Sequence, residues 1–379
     1  THPRGRSGHW YLTPFRRLSI CQMVSVMALA FVVTLLASTK ASADETVQPY
    51  LLQMVRDDAI HQELKLDASQ IRQVLASLEE VDGPWWRGRI LPTDRNHENV
   101  AQLTRQLRAR LGSILSVDQR ERLSQLERQA HGTRMLLLDD VAATLTLTKV
   151  QRESLQETFA TTDQDGTEIR KQLQEKTLEA PEAARKLKDL QSREQADLQS
   201  TLTTKQRSQI GPLVGVPFDF SKIKRRYPKA PELSLEGAQW LQGEPQTLAS
   251  LRGSVVAVHF YAFRCINCQR NFEHYNGWQD DYADKGLVVI GIQTPEVSSE
   301  FDPERVAAAA EKDGFEYPVL LDLKKSNWDA WSNTMWPTVY LIDKRGFVRQ
   351  WWQGEMNWQG TPGEKKMRGV IEQLLEEDT

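Results

Sequence analysis

The chain has 379 residues, 40% of them hydrophobic, and a formal net charge of -3. That length suggests two or three domains, and the charge balance gives no general attraction to nucleic acid. Of its 3 cysteines, two stand close together at Cys265 and Cys268 and the third, Cys21, lies near the start.

Residues 1–43 differ from the rest. Arg16 and Arg17 precede an apolar stretch from Leu18 to Ala37, and Ala41-Ser42-Ala43 offers a small-residue cleavage site ahead of Asp44. The segment reads as an export signal, cleaved or retained as an anchor, because about 20 apolar residues can span a bilayer. Either way the remainder is expected in the periplasm or on the outer face of the cytoplasmic membrane, with the arginine pair inside. Cys21 follows Ile20 rather than a small residue, which argues against lipid attachment. A cleaved, exported chain keeps only Cys265 and Cys268, which can pair with each other, with a metal or with a partner.

Residues 44–216 are rich in Leu, Gln, Arg and Glu and apolar at helical intervals, as in Ile71, Val74, Leu75 and Leu78, so an all-α region is expected. Breaks are expected at Val81–Asn96, at Asp163–Gly166 and near Ala180-Pro181. The stretch Leu64–Gln70 (LKLDASQ) recurs as Leu145–Gln151 (LTLTKVQ), and Leu115–Arg120 (LSVDQR) recurs as Leu202–Arg207 (LTTKQR), giving two repeat units of about 85 residues. Each signal pairs a cap residue with a glutamine three positions on: Asp67 with Gln70, Ser116 with Gln119, Thr148 with Gln151, Thr203 with Gln206. This is capping-box chemistry, in which the first side chain accepts from a free helix N–H and the glutamine reaches back. The motifs resemble those of Spy-type periplasmic chaperones and related metal-sensing helical proteins, with Asp67 and Ser116 replacing the usual threonine. The resemblance implies helical hairpins presenting a surface to client proteins; the plainer reading is a spacer or a dimerisation module. Asp163–Gly166 hints at a calcium loop, but Thr161 and Gln172 would then occupy its first and twelfth positions, and it reads as a turn. Residues 217–229 contain the basic run Ser221–Lys229 beside prolines, read as a solvated linker.

From 230 to 379 the pattern alternates. Strand-like runs at Ser254–Phe263, Leu287–Thr294, Tyr317–Asp322, Thr338–Asp343 and Phe347–Gly354 are separated by helical segments at Gln269–Lys285, Pro303–Asp313 and Asn327–Ser332, and a further helix is expected at Glu364–Glu377. The expectation is an α/β domain with a central sheet flanked by helices.

Cys265 falls just past the first long strand, at the start of the following helix, where free N–H groups and the helix dipole favour a thiolate. Two intervening residues put Cys268 one turn further on, within reach for a reversible disulfide. Arg264 adds positive charge beside the first sulfur. A structural zinc would have only His259 and His274 as further ligands. Covalent haem attachment needs a histidine directly after the second cysteine, where this chain has Gln269. Two inert core cysteines are the remaining alternative.

From about Ala230 to Trp358 the chain resembles the exported thioredoxin-like redoxins, as in cytochrome c biogenesis reductases and the periplasmic part of DipZ-type proteins. The likeness is carried by Trp240–Phe272 (WLQGEPQTLASLRGSVVAVHFYAFRCINCQRNF), by Lys285–Glu296 and by Met335–Asp343 (MWPTVYLID). It implies that Cys265 is the exposed nucleophile and Cys268 the resolving thiol. It further implies that Pro337 is a cis-proline facing the site, with Trp336 offering backbone to an extended substrate and Tyr261 lining the site. His259 stands where the family usually bears a buried aspartate; it could shuttle protons near neutral pH or be a hydrogen-bonded core residue. The implied activity is thiol-disulfide exchange with protein thiols and disulfides. The redox-active Cys265–Cys268 couple itself is the only cofactor expected, and no metal is. Further expected partners are a membrane electron donor and a second copy through the helical region, with no nucleic acid. The competing class is a chaperone-like or metal-sensing binding protein in which the redoxin fold serves only as scaffold.

Overall fold

A computed structural model describes residues 49–378, so the leader at 1–43 lies outside the described residues. Among those described, no helix is long and apolar enough to cross a membrane. They divide into two compact units, one formed by residues 49–75 with Thr104–Ile223, the other by Ala76–Leu103 with residues from Lys224 onward.

The helices begin with α1 (Tyr50–Met54), α2 (Asp58–Glu63), α3 (Ala68–Gly88), α4 (Thr93–Ile114) and α5 (Val117–His131). They continue with α6 (Asp139–Thr144), α7 (Lys149–Gln174), α8 (Ala180–Thr201) and α9 (Thr204–Val214). All four expected boxes form: Gln70 N donates to Asp67, Gln119 N to Ser116, Gln151 N to Thr148 and Gln206 N to Thr203, and each glutamine carbonyl accepts the cap residue's N–H in return. The two boxes of one repeat then lock together. Gln70 and Gln119 exchange amide hydrogen bonds at 2.8 and 3.1 Å, and Gln151 and Gln206 do so at 2.9 and 3.2 Å. The repeat extends to Arg120, which donates to the carbonyls of Gly112 and Leu115, and to Arg207, which donates to those of Gln199 and Leu202. Both satisfy carbonyls left free where the preceding helix ends. Lys65 and Thr146, at equivalent places, share a positive φ of 53° and 49°. Gln206 is buried and also donates to the Leu145 carbonyl. Gln206→Ala should therefore cost about 1–3 kcal/mol, read as a lowered urea midpoint, and the partly exposed Gln119→Ala should cost less; equal costs would contradict this account.

The second unit holds a six-stranded sheet of β1 (Ala238–Gln242), β2 (Val255–Tyr261), β3 (Leu287–Gln293), β4 (Val319–Asp322), β5 (Thr338–Ile342) and β6 (Val348–Gln353), in the order β1-β4-β3-β2-β5-β6. Strands β2, β3 and β4 are parallel, while β5 and β6 extend the sheet antiparallel on one side and β1 on the other. Every residue of β2 is buried, as a run apolar at all positions but His259 requires of a central strand covered on both faces. The remaining helices are α10 (Ile266–Tyr282), α11 (Pro303–Lys312), α12 (Ser326–Ala330) and α13 (Gly363–Glu376). Val255, Ala257 and Tyr261 face a core with Tyr275 and Trp278 of α10 and Met367 and Ile371 of α13. Val256, Val258 and Phe260 face the opposite core, built on Trp328, Trp331, Tyr340 and Trp86.

The chain does break within Val81–Asn96, at residues 89–92 between α3 and α4, but only after α3 has run on through Pro84 to Gly88. A helix-interior proline costs about 3 kcal/mol, and burial of Trp86 against the sheet offsets it; Asn99 also bonds the Pro84 carbonyl. Segment Ala76–Leu103, expected in the helical region, thus belongs with the sheet. Asp163–Gly166 is likewise helix rather than turn, within α7. Asp163 pairs with Arg134 at 2.6 Å, and buried Gly166 lies beside Leu190 of α8, so both residues serve helix packing. The basic run is not simply solvated either: Arg225 is buried and bonds Asp343 at 3.0 Å. Strand β1 had no periodic signal in the sequence; it pairs with β4 at the sheet edge.

Candidate active site

The site is built where β2 ends and α10 begins. Cys265 is the N-cap of α10, in extended conformation, and its carbonyl accepts from the N–H groups of Cys268 and Gln269, both at 3.0 Å. Its own N–H donates to Ala262, which fixes the turn off the strand. Both thiols are free; Cys265 is partly exposed and Cys268 is buried with 0% exposure.

Their environments push the two thiols apart. The Cys265 thiol is held below its ordinary value, first by the hydrogen bond from the Cys268 thiol and then, against burial, by backbone N–H groups of the first turn. The Cys268 thiol is pushed far up, first by burial and then by its bond to Cys265 and the charge there. One sulfur is prepared to attack and its neighbour to stay protonated. Arg264 is exposed and its backbone N–H points elsewhere; the main pull on Cys265 comes from Cys268, not from the neighbouring guanidinium that the sequence suggested.

The Trp336–Pro337 peptide bond is cis. Antiparallel pairing sets Phe260 opposite Thr338, so one further step brings buried Pro337 level with Tyr261, at the strand end that leads to Cys265. Trp336 and Cys265, both partly buried, pack against the same core. Tyr261 is only 1% exposed, meeting Phe272 edge-on at 5.4 Å. It supports the site from behind and cannot contact a partner protein. His259 is fully buried and stacks on Tyr275 at 4.1 Å with neither ring nitrogen hydrogen-bonded. Burial pushes its pKa down to about 3, so neither a charge change near neutral pH nor a hydrogen-bonded core role fits it. His274, on α10, meets Asn357 and Glu273. Among the described residues, no group of three His, Cys, Asp or Glu side chains is arranged to hold a metal.

Two residues at the site escaped the sequence reading. Glu300 is fully buried, and its carboxylate accepts from the N–H groups of Arg264, Glu296 and Val297 at 2.9, 2.7 and 3.1 Å. It thereby ties the loop after β3 to the residue preceding Cys265 through charge-assisted bonds. Asn271, one turn after Cys268, donates to the Gly354 carbonyl and accepts from Met356 N, fixing α10 to the end of β6. A lone acid in an acid-rich loop and a helix asparagine carry no periodic signal.

The model of the AhpC/TSA family matches residues 228–351. Protein DipZ of Mycobacterium bovis is 44% identical over 125 residues, which are 32% of this chain and 18% of that protein, so the chain spans under a fifth of DipZ. Thioredoxin-like protein YneN of Bacillus subtilis is 30% identical over 128 residues, 34% of this chain and 71% of YneN. Thiol-disulfide oxidoreductase YkuV of the same organism is 29% identical over 132 residues, 35% of this chain and 87% of YkuV.

Proposed function

This chain belongs to the thioredoxin-like family, and from that premise we propose that it is a thiol-disulfide oxidoreductase exchanging disulfides with partner proteins through Cys265 and Cys268. The observation that carries the reading is the asymmetry of the pair: an accessible sulfur of lowered pKa at a helix start, beside a buried sulfur of raised pKa.

The Cys265 thiolate attacks one sulfur of the partner's disulfide. A new sulfur–sulfur bond forms to Cys265, the partner's own bond breaks, and its second sulfur leaves as a thiolate that takes up a proton. Cys268 then gives up its proton and attacks the Cys265 sulfur, releasing the partner's remaining thiolate. Two electrons have passed to the partner, and the enzyme holds the Cys265–Cys268 disulfide. A thiol donor, here a membrane electron donor, must reduce it for another turnover; run backwards, the same steps donate a disulfide. The proposal needs no cofactor beyond this couple. Pro337 and the backbone of Trp336 would hold the partner's chain in extended form beside Cys265.

The export-type leader and the DipZ likeness support a location in the periplasm or on the outer face of the cytoplasmic membrane. The helical repeats would dimerise the protein or bring clients to it. To test the exchange itself, the full chain carrying Cys268→Ser is mixed with insulin. A mixed disulfide of the reduced variant through Cys265 should accumulate on non-reducing gels, while the unmodified protein, re-reduced by added dithiothreitol, turns over without one. No adduct from the variant and no turnover by the parent would overturn the reading.

A further inference from the structure

No step of the exchange uses the aromatic and basic stretch Trp85-Trp86-Arg87-Gly88-Arg89, yet its side chains reach the turn ahead of Pro337. The Trp86 indole, 5% exposed, donates to the Trp331 carbonyl at 3.2 Å and packs edge-on against Trp351 at 5.3 Å. The Arg89 guanidinium lies over the Trp86 ring, 3.9 Å from its centroid. It donates to the carbonyls of Trp86, Trp331 and Ser332 and to the Tyr340 hydroxyl, and that hydroxyl donates onward to Asn333 at 2.6 Å. All four of its acceptors are neutral oxygens, so the group works here as a multidentate backbone clamp rather than as half of an ion pair.

What it clamps is the turn Trp331–Asn333, which leads directly into Thr334–Pro337. Ser332 has φ 53°, in the left-handed region. That conformation closes the end of α12, where the N–H groups of Ser332 and Asn333 donate to the carbonyls of Asp329 and Trp328, and Arg89 grips the carbonyl of that same residue. Trp336 itself packs at 4.1 Å, tilted by 30°, against Trp328 in the helix that runs into the turn.

We propose that Arg89 and Trp86 are positioning residues for the Thr334–Pro337 loop, setting how well the extended chain around a partner's disulfide docks while leaving the chemistry at Cys265 alone. This rests on the exchange reading above. A segment of the helical sequence thereby becomes part of the redoxin's substrate-recognition apparatus.

The test uses the reduced full chain and two oxidised probes. Insulin presents its disulfides within polypeptide, and dithiobis-nitrobenzoate is a small disulfide with no chain to dock. Arg89→Ala should lower the second-order rate constant for insulin about tenfold and change that for the small probe by less than about twofold. Arg89→Lys keeps the charge but loses the fork and should fall between; Trp86→Phe, which lacks only the N–H and part of the ring, should lower the insulin constant about twofold. These two conservative variants carry the test if Arg89→Ala fails to fold. A parallel fall with both probes, or an unchanged insulin constant beside a lowered melting temperature, would leave Arg89 a merely structural residue and overturn the inference. Inertness of the parent protein toward both probes would instead overturn the exchange reading, and this inference with it.

Discussion

Cys265→Ser should abolish turnover of insulin, a loss of about a thousandfold or more, because a serine hydroxyl is neither ionised near neutral pH nor able to take part in sulfur exchange. The reactive form is the thiolate, so the rate falls as pH drops through the Cys265 pKa; holding that pKa low keeps the enzyme active at lower pH than an ordinary thiol would. The largest pull on it is the hydrogen bond from Cys268. In Cys268→Ala that bond is gone, and the ultraviolet absorbance of the thiolate should titrate at higher pH than in the parent. Substantial turnover remaining in Cys265→Ser, or a Cys268→Ala thiolate titrating lower than the parent's, would contradict the assignment of attacking and resolving sulfurs.

Trp86→Ala should destabilise the sheet-containing unit by about 3–5 kcal/mol, the usual cost of removing a buried tryptophan. Trp86 is 5% exposed and contacts Trp351, Tyr227 and Tyr340. Trp85, only partly buried, is the control and should cost much less. All tryptophans among the described residues fall within Ala76–Leu103 or beyond Lys224, so their fluorescence in a urea titration reports on this unit alone. Equal costs for Trp85→Ala and Trp86→Ala would show that the C-terminal fold does not depend on the helical sequence for its core.

Much of the site was legible before any coordinates. The run Val255–Tyr261 is apolar at every position but His259 because a central strand is covered on both faces, and the thiols follow it at the spacing of one helical turn. The cap chemistry of Asp67, Ser116, Thr148 and Thr203 was legible for the same reason: each bond joins residues three apart. Tyr261 and His259 misled, since a family position says which strand a side chain sits on but not how deeply neighbours cover it. Tyr275, Phe315 and Tyr317 surround His259 and decide that it stays neutral.

The sequence by itself determined the local chemistry: the alternation of strands and helices, the helix starts, and a cysteine placed where unsatisfied N–H groups favour its ionised form. Only the tertiary structure decided which distant groups complete that chemistry. Glu300 reaches the N–H beside Cys265, Gln70 finds Gln119, and Arg89 holds the turn ahead of Pro337. Periodicity and spacing record interactions within a few residues along the chain. Contacts across dozens or hundreds of residues depend on burial and approach, which exist only once the cores have closed.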